Sequence, residues 1–191
     1  SGPLELKRNV RLVGANAPDG NSFGASRLLF AENVSGIIVY GPSNSGTGKG
    51  ADGTIIECLS IIPKSYGASG TGHGVWLRCR ARIVNCQISG WPENGVNIVA
   101  SVGGGGTVEG NANIWYADNL RLQENKGHGL YVDGADANAG VAIRIDSSSN
   151  GGWGIYDSSF LGNTYVGCHT TANTLGSYKS DNVNARNLFL N

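Results

Sequence analysis

At 191 residues the chain has the length of one domain, and 31 Gly against 5 Pro with 40% hydrophobic residues fits a packed core rather than a disordered tract. Fourteen basic residues balance fourteen acidic ones, and zero net charge with a pI near 6.8 argues against nucleic acid as the main partner. No apolar run approaches the roughly 18 residues that a membrane-spanning helix needs.

In chain order, Leu4-Glu5-Leu6, Val10–Gly14, Arg27–Phe30 and Gly36–Tyr40 read as the first strands. Gly41–Gly50 invites a phosphate-loop reading, but the Gly-Lys-Ser/Thr ending is absent and a surface loop is expected. A phrase then returns: Asp52-Gly53-Thr54-Ile55-Ile56-Glu57-Cys58, His73-Gly74-Val75-Trp76-Leu77-Arg78-Cys79, Asn94-Gly95-Val96-Asn97-Ile98 and His128-Gly129-Leu130-Tyr131-Val132. A weaker copy is Trp153-Gly154-Ile155-Tyr156-Asp157. Gly53 to Gly74 and Gly74 to Gly95 are both 21 residues; Gly95 to Gly129 is 34, across the insert Gly103–Gly106, and Gly129 to Gly154 is 25. A short alternating strand at a period in the low twenties predicts a solenoid.

Alternation places Thr54, Ile56 and Cys58; Val75, Leu77 and Cys79; Val96, Ile98 and Ala100; and Leu130, Val132 and Gly134 inward. A second strand follows in each unit, as in Val84–Ile88, Leu120–Leu122, Val141–Ile145 and Val166–Cys168. Asn187-Leu188-Phe189-Leu190 looks equivalent to Asn119-Leu120-Arg121-Leu122. Asn94, Asn125 and Asn150 stand at turns, where Asn and Gly tolerate left-handed angles. Helical periodicity is missing. The expected fold is all-β, a parallel solenoid of roughly eight coils at about 22 residues each, on the order of 35–40 Å long.

These Gly-apolar-x-apolar units with Asn at the corners resemble the right-handed parallel β-helix of the pectin lyase-like superfamily. The opening Asn9–Gly14, Ser26–Phe30 and Ser35–Val39 resembles the first coils of phage tailspikes and related polysaccharide-acting proteins. The resemblance runs from about Leu4 to Asn191 and implies fold more than activity, because the superfamily holds lyases, hydrolases, epimerases and non-catalytic rods. No stretch matches a catalytic motif of one family. Residues 1–191 are read as a single β-helix domain; the opening Ser1-Gly2-Pro3 and the lack of Met suggest a fragment of a longer chain.

Stacked equivalent positions give outward rows. One reads Asp52, His73, Asn94, His128, Trp153; the next Ile55, Trp76, Asn97, Tyr131, Tyr156; the third Glu57, Arg78, Val99, Asp133, Ser158. Sugars present an apolar CH face and a hydroxyl rim, so His73, Trp76, Arg78, His128, Tyr131, Trp153 and Tyr156 are the candidate substrate-binding residues. An oligomer contact or a plain solvated sheet would use the same face. A hydrolase needs two carboxyl groups about 5–9.5 Å apart, and Glu57, Asp133 and Asp136 are the catalytic candidates. Glu57 and Asp133, three coils apart at about 14 Å, are too distant; Asp52 with Glu57, or Asp133 with Asp136, could be close. A lyase would use Arg78 with His73 or His128.

Asp133–Asn138 offers hard oxygen ligands but lacks an EF-hand continuation, and no metal or cofactor is expected. Asn33-Val34-Ser35 is a sequon, a triplet that chance readily supplies. Cys58 and Cys79 are expected as stacked inward neighbours, and all four thiols, with Cys86 and Cys168, as free, which suits folding in a cytoplasm.

Three functions compete: a polysaccharide-recognising tailspike-type β-helix with or without depolymerase activity, a non-catalytic rod of a phage tail or adhesin, and a secreted lyase or epimerase. The expected partners are a polysaccharide and further copies of the chain, as a trimer in the full-length protein, with no nucleic acid and no membrane. The expected location is a virion tail or extracellular surface. Open solenoid ends need a cover.

Overall fold

The computed structural model describes residues 2–15, 26–41, 50–100, 110–181 and 187–190. The loop at Pro42–Lys49 and the insert Gly103–Gly106 lie outside them. No helix occurs among the described residues. The strands are β1 (Leu4–Leu6), β2 (Arg11–Val13), β3 (Ser26–Phe30), β4 (Ile37–Val39), β5 (Thr54–Glu57), β6 (Leu59–Pro63), β7 (Val75–Leu77) and β8 (Ala81–Ser89). Then follow β9 (Val96–Val99), β10 (Tyr116–Gln123), β11 (Leu130–Gly134), β12 (Val141–Ser148), β13 (Trp153–Ser159), β14 (Thr164–Val166), β15 (His169–Thr171), β16 (Gly176–Ser180) and β17 (Leu188–Leu190).

They form two parallel sheets. The first has seven strands in the order β1-β4-β7-β9-β11-β13-β16, and the second has ten, with β17-β14-β12-β10-β8-β5-β2 as its main path. From β7 onward the chain visits the sheets alternately, so each unit lays one strand, or a broken pair, on each. This arrangement is compatible with a solenoid. Unit length varies without disturbing register: Ile37 pairs Val75, Val75 pairs Val96, Val96 pairs Leu130 and Leu130 pairs Ile155.

The core lies between the sheets. Ile37, Val75, Val96, Leu130 and Ile155 stack in one buried row, and Val39, Leu77, Ile98 and Val132 in the next. Each such side chain stabilises by about 1.5–3 kcal/mol. Trp91 and Trp115 fill the wider parts, and their indole N–H groups donate to Ile61 O (3.1 Å) and Ala137 O (3.2 Å).

Gly74, Gly95, Gly129 and Gly154 answer to close approach rather than to a left-handed turn, whereas Gly53 is left-handed at φ 82°. A Cβ on Gly74 would stand 2.6 Å from Gly95 O, and one on Gly129 2.7 Å from Gly154 O. Left-handed residues form rows of their own at three bends. Cys58, Asn85, Asn119, Arg144 and Gly167 make one; Gly90, Glu124, Ser149 and Ala172 the second; Ile114, Ala139 and Gly162 the third. Asn125 and Asn150 follow the second row and are buried, which corrects their reading as left-handed corner residues.

Three registers differ from the sequence reading. The Asp52–Cys58 phrase belongs to the second sheet, where Ile55 pairs Arg82 and Glu57 pairs Val84. The place expected for it is taken by β4, with Ile38 beside Trp76. Cys58 is not an inward neighbour of Cys79: it sits half-exposed at φ 58° in the first bend row. Leu188–Leu190 pairs with Thr164–Val166, which continues the Tyr116–Asp118 segment rather than Leu120–Leu122. All four thiols are free, and burial pushes those of Cys79 and Cys86 up to about 12.

Candidate functional site

The outward face of the first sheet carries most of the candidate residues. Pairing of Trp76 with Asn97, Asn97 with Tyr131, Tyr131 with Tyr156 and Tyr156 with Lys179 makes one continuous row. Two residues on, Asp133 pairs Val99 on one side and Ser158 on the other. Alternation puts Arg78 beyond Trp76 on the same face.

The margin of this face is held by a side-chain ladder. Ser35 Oγ accepts from His73 N–H (3.2 Å), His73 Nδ1 from Asn94 N–H (3.2 Å), Asn94 Oδ1 from His128 N–H (2.8 Å) and His128 Nδ1 from Trp153 N–H (2.8 Å). An Nδ1 that accepts is unprotonated, so both imidazoles are neutral with the proton on Nε2. Burial holds both below the ordinary imidazole value. For His73 it outweighs Glu93, whose Oε2 lies 3.5 Å from Nε2; for His128 the Lys179 charge adds to it.

Two aromatic groups flank a strand of small residues. On one side His73 meets Trp76 edge-on at 5.5 Å, and Arg78 Cζ lies 5.2 Å from the ring centroids of both Trp76 and Tyr40. On the other, His128, Tyr131 and Tyr156 contact one another at 5.1–5.5 Å, with Lys179 Nζ 4.8 Å from the Tyr156 centroid and 6.0 Å from that of Trp153. Between them β9 presents Asn97 and Val99, both buried although they face outward. Two strand steps separate β7 from β11, about 9.6 Å.

Polar groups differ between the two sides. Tyr131 OH donates to Asp133 Oδ2 (3.1 Å), Ser158 Oγ to Asp133 Oδ1 (2.9 Å), and Tyr156 OH to Asp181, which also pairs with Lys179 at 2.9 Å. Both phenols are pushed up to about 12, Tyr131 chiefly by burial and Tyr156 chiefly by its bond to Asp181, so they remain donors. At the β7 side, Trp76 Nε1 and Arg78 Nε are enclosed with no acceptor among the described residues.

Of the three catalytic candidates, Glu57 is not gathered with the other two. Glu57 lies on the second sheet, where its Oε1 accepts from Arg11 Nε (2.7 Å) and Nη2 (2.6 Å), so it cannot share a row with Asp133. Asp52 and Ile55 leave the face with it. Asp136 turns to Asn113, whose Nδ2 donates at 3.4 Å, while Asp133 is bonded to Tyr131 and Ser158. Among the described residues no three His, Cys, Asp or Glu side chains gather to hold a metal ion. Sequence reasoning missed Tyr40, Lys179 and Asp181. The signal for Tyr40 was present, since Gly36-Ile37-Ile38-Val39-Tyr40 is the same phrase with Ser35 in the His position. No family model, no curated protein and no solved structure matches this chain.

Proposed function

We propose that the chain is a polysaccharide-recognising, right-handed parallel β-helix of the pectin lyase-like, tailspike type, about eight coils long, and that the glycan lies on the outward face of the first sheet. The supporting observation is the pair of aromatic groups, Trp76 with Tyr40 and Tyr131 with Tyr156, facing each other across small β9 residues. Pyranose CH faces stack on such rings, while Asp133, Arg78, His128 and Trp153 line the hydroxyl rim. In this reading the chain works on a virion tail or extracellular surface, as a trimer in the full-length protein.

A non-catalytic rod is the second reading. It is favoured by the closed bonding around Tyr131 and Tyr156, whose hydroxyls are already committed to Asp133 and Asp181. A glycan array run with the wild type and the Trp76→Ala/Tyr131→Ala double variant decides between them. A specific hit lost in the folded double variant supports the saccharide face. Absence of any hit with folded protein favours the rod, and the aromatic face then serves assembly.

A further inference from the structure

Among the described residues both sheets end in strands paired on one side only, β1 and β2 at one end and β16 and β17 at the other. The ends lie level, because seven strands lead from β1 to β16 and seven from β2 to β17. An open strand edge is a template for another chain. The terminal pairs are parallel, so a second copy shifted along the stacking direction meets β16 with its β1 and β17 with its β2, strand directions unchanged.

The rows of the sheets fix the register of that meeting. The inward row that starts at Leu4 ends at Tyr178, and the one that starts at Leu12 ends at Phe189. Tyr178 and Phe189 meet edge-on at 4.9 Å and are only partly buried, so the last unit covers the core with rings that still show apolar surface. Leu4 and Leu12 are likewise incompletely buried at the opposite end. On the outward side of the second sheet the row from Val13 ends at Leu190, each about half exposed.

Charge agrees with this register. The outward row that starts at Glu5 ends at Lys179, and two residues on, Lys7 and Asp181 hold the corresponding places. Glu5 pairs with Lys7 at 2.6 Å along one edge and Lys179 with Asp181 at 2.9 Å along the other, with all four more than a third exposed. The order is acid then base on β1 and base then acid on β16. In native register Lys179 therefore faces the partner's Glu5, and Asp181 the partner's Lys7. A slip of two residues sets like charges directly opposite each other, and a slip of one turns the apolar set outward.

We infer that the two ends of the molecule are docking surfaces for each other: a second copy of this chain seats its β1–β2 edge on the β16–β17 edge, with two crossed charge pairs outside and the Tyr178–Phe189 rings on apolar side chains within. The joint is heterologous and does not close, so copies add in an open row. β15 lies one level below β17 and takes no part. The inference is independent of the saccharide reading.

The test is sedimentation velocity of the whole chain over a concentration series up to about 1 mM. Assembly should grow with concentration and weaken with salt. Lys179→Glu with Asp181→Lys should weaken it about 10-fold or more, and so should Glu5→Lys with Lys7→Glu. Each swap keeps an ion pair within its own edge, and circular dichroism checks the fold. An equimolar mixture of the two swapped proteins should assemble again, because every joint in an alternating row is then complementary. If one swap fails to fold, the other alone must show the loss. A monomer at every concentration, an assembly that the swaps leave intact, or a mixture of folded swaps that stays apart overturns the inference.

Discussion

The Tyr165 hydroxyl donates to Asp157 Oδ2 at 2.5 Å inside the core, where Asp157 is wholly buried and Tyr165 almost so. Asn163 Nδ2 donates to the same oxygen (2.8 Å) and Ser159 N–H to Oδ1 (2.8 Å), so three donors surround one carboxylate. Burial and the neighbouring charge raise Tyr165 well above its ordinary value, which keeps it a donor. Tyr165→Phe should cost about 1–3 kcal/mol, and Asp157→Ala about 3 kcal/mol or more because it leaves the other donors orphaned. Urea unfolding checks both; an Asp157→Ala protein as stable as wild type refutes this account.

The His73 and His128 bonds predict an acid-sensitive stability. Both pKa values are lowered in the folded state, so below the unfolded value of about 6.5 the unfolded chain binds more protons. The contribution is full above about 6.5 and declines as pH falls toward the lowered values. Asn94 already does the same work in the same row with Oδ1. His128→Asn should therefore fold and flatten the acid slope, whereas His128→Ala should lose about 1–3 kcal/mol above about pH 6.5 and progressively less as pH falls. Thermal melts between about pH 5 and 8 separate these outcomes.

The parallel strands and much of the inward set were legible because burial alternates along strands such as β5, β7 and β11. The same alternation misassigned Asp52–Glu57. Both sheets bury every second residue around one core, so Thr54-Ile55-Ile56-Glu57 and Val75-Trp76-Leu77-Arg78 carry equal patterns while lying on different sheets. The 21-residue spacing between them coincided with a true unit, and the real partner, Ile37, stands 38 residues before Val75. Of the site, the His73–Trp153 and Trp76–Tyr156 rows were readable. Tyr40 carries the phrase but stands 38 residues before Arg78, outside the short period, and Lys179 follows Ser177, which stands opposite Gly154 where the other units have Gly.

Asn150 is buried and makes bonds in both stacking directions. Its Oδ1 accepts from Asn125 N–H (3.1 Å) and Nδ2 (2.9 Å), while its own Nδ2 donates to Asn173 Oδ1 (2.8 Å) and Leu122 O (3.1 Å). Asn150→Leu removes all of these and should cost about 3 kcal/mol or more. Asn173→Leu, nearer the end of the row and less buried, should cost less. Chemical denaturation of the two variants gives the order.

Ile114 is β-branched, 60% exposed and left-handed at φ 63°. Ala139 and Gly162 share its row and its left-handed conformation. Ile114→Gly gives up little burial and relieves a strained backbone, for a gain of about 1 kcal/mol. In a chain of this size that is a rise in Tm of about 2–4 °C, read by calorimetry. A fall in Tm would mean that the exposed side chain is held by contacts.

The ladders of Asn and imidazole acceptors run in the direction in which the backbone bonds of the parallel sheets run, from one unit to the next. Along the strands a unit is covalent chain; across them it is joined mainly by these hydrogen bonds and by the stacked apolar rows of the core. The molecule is thus mechanically anisotropic.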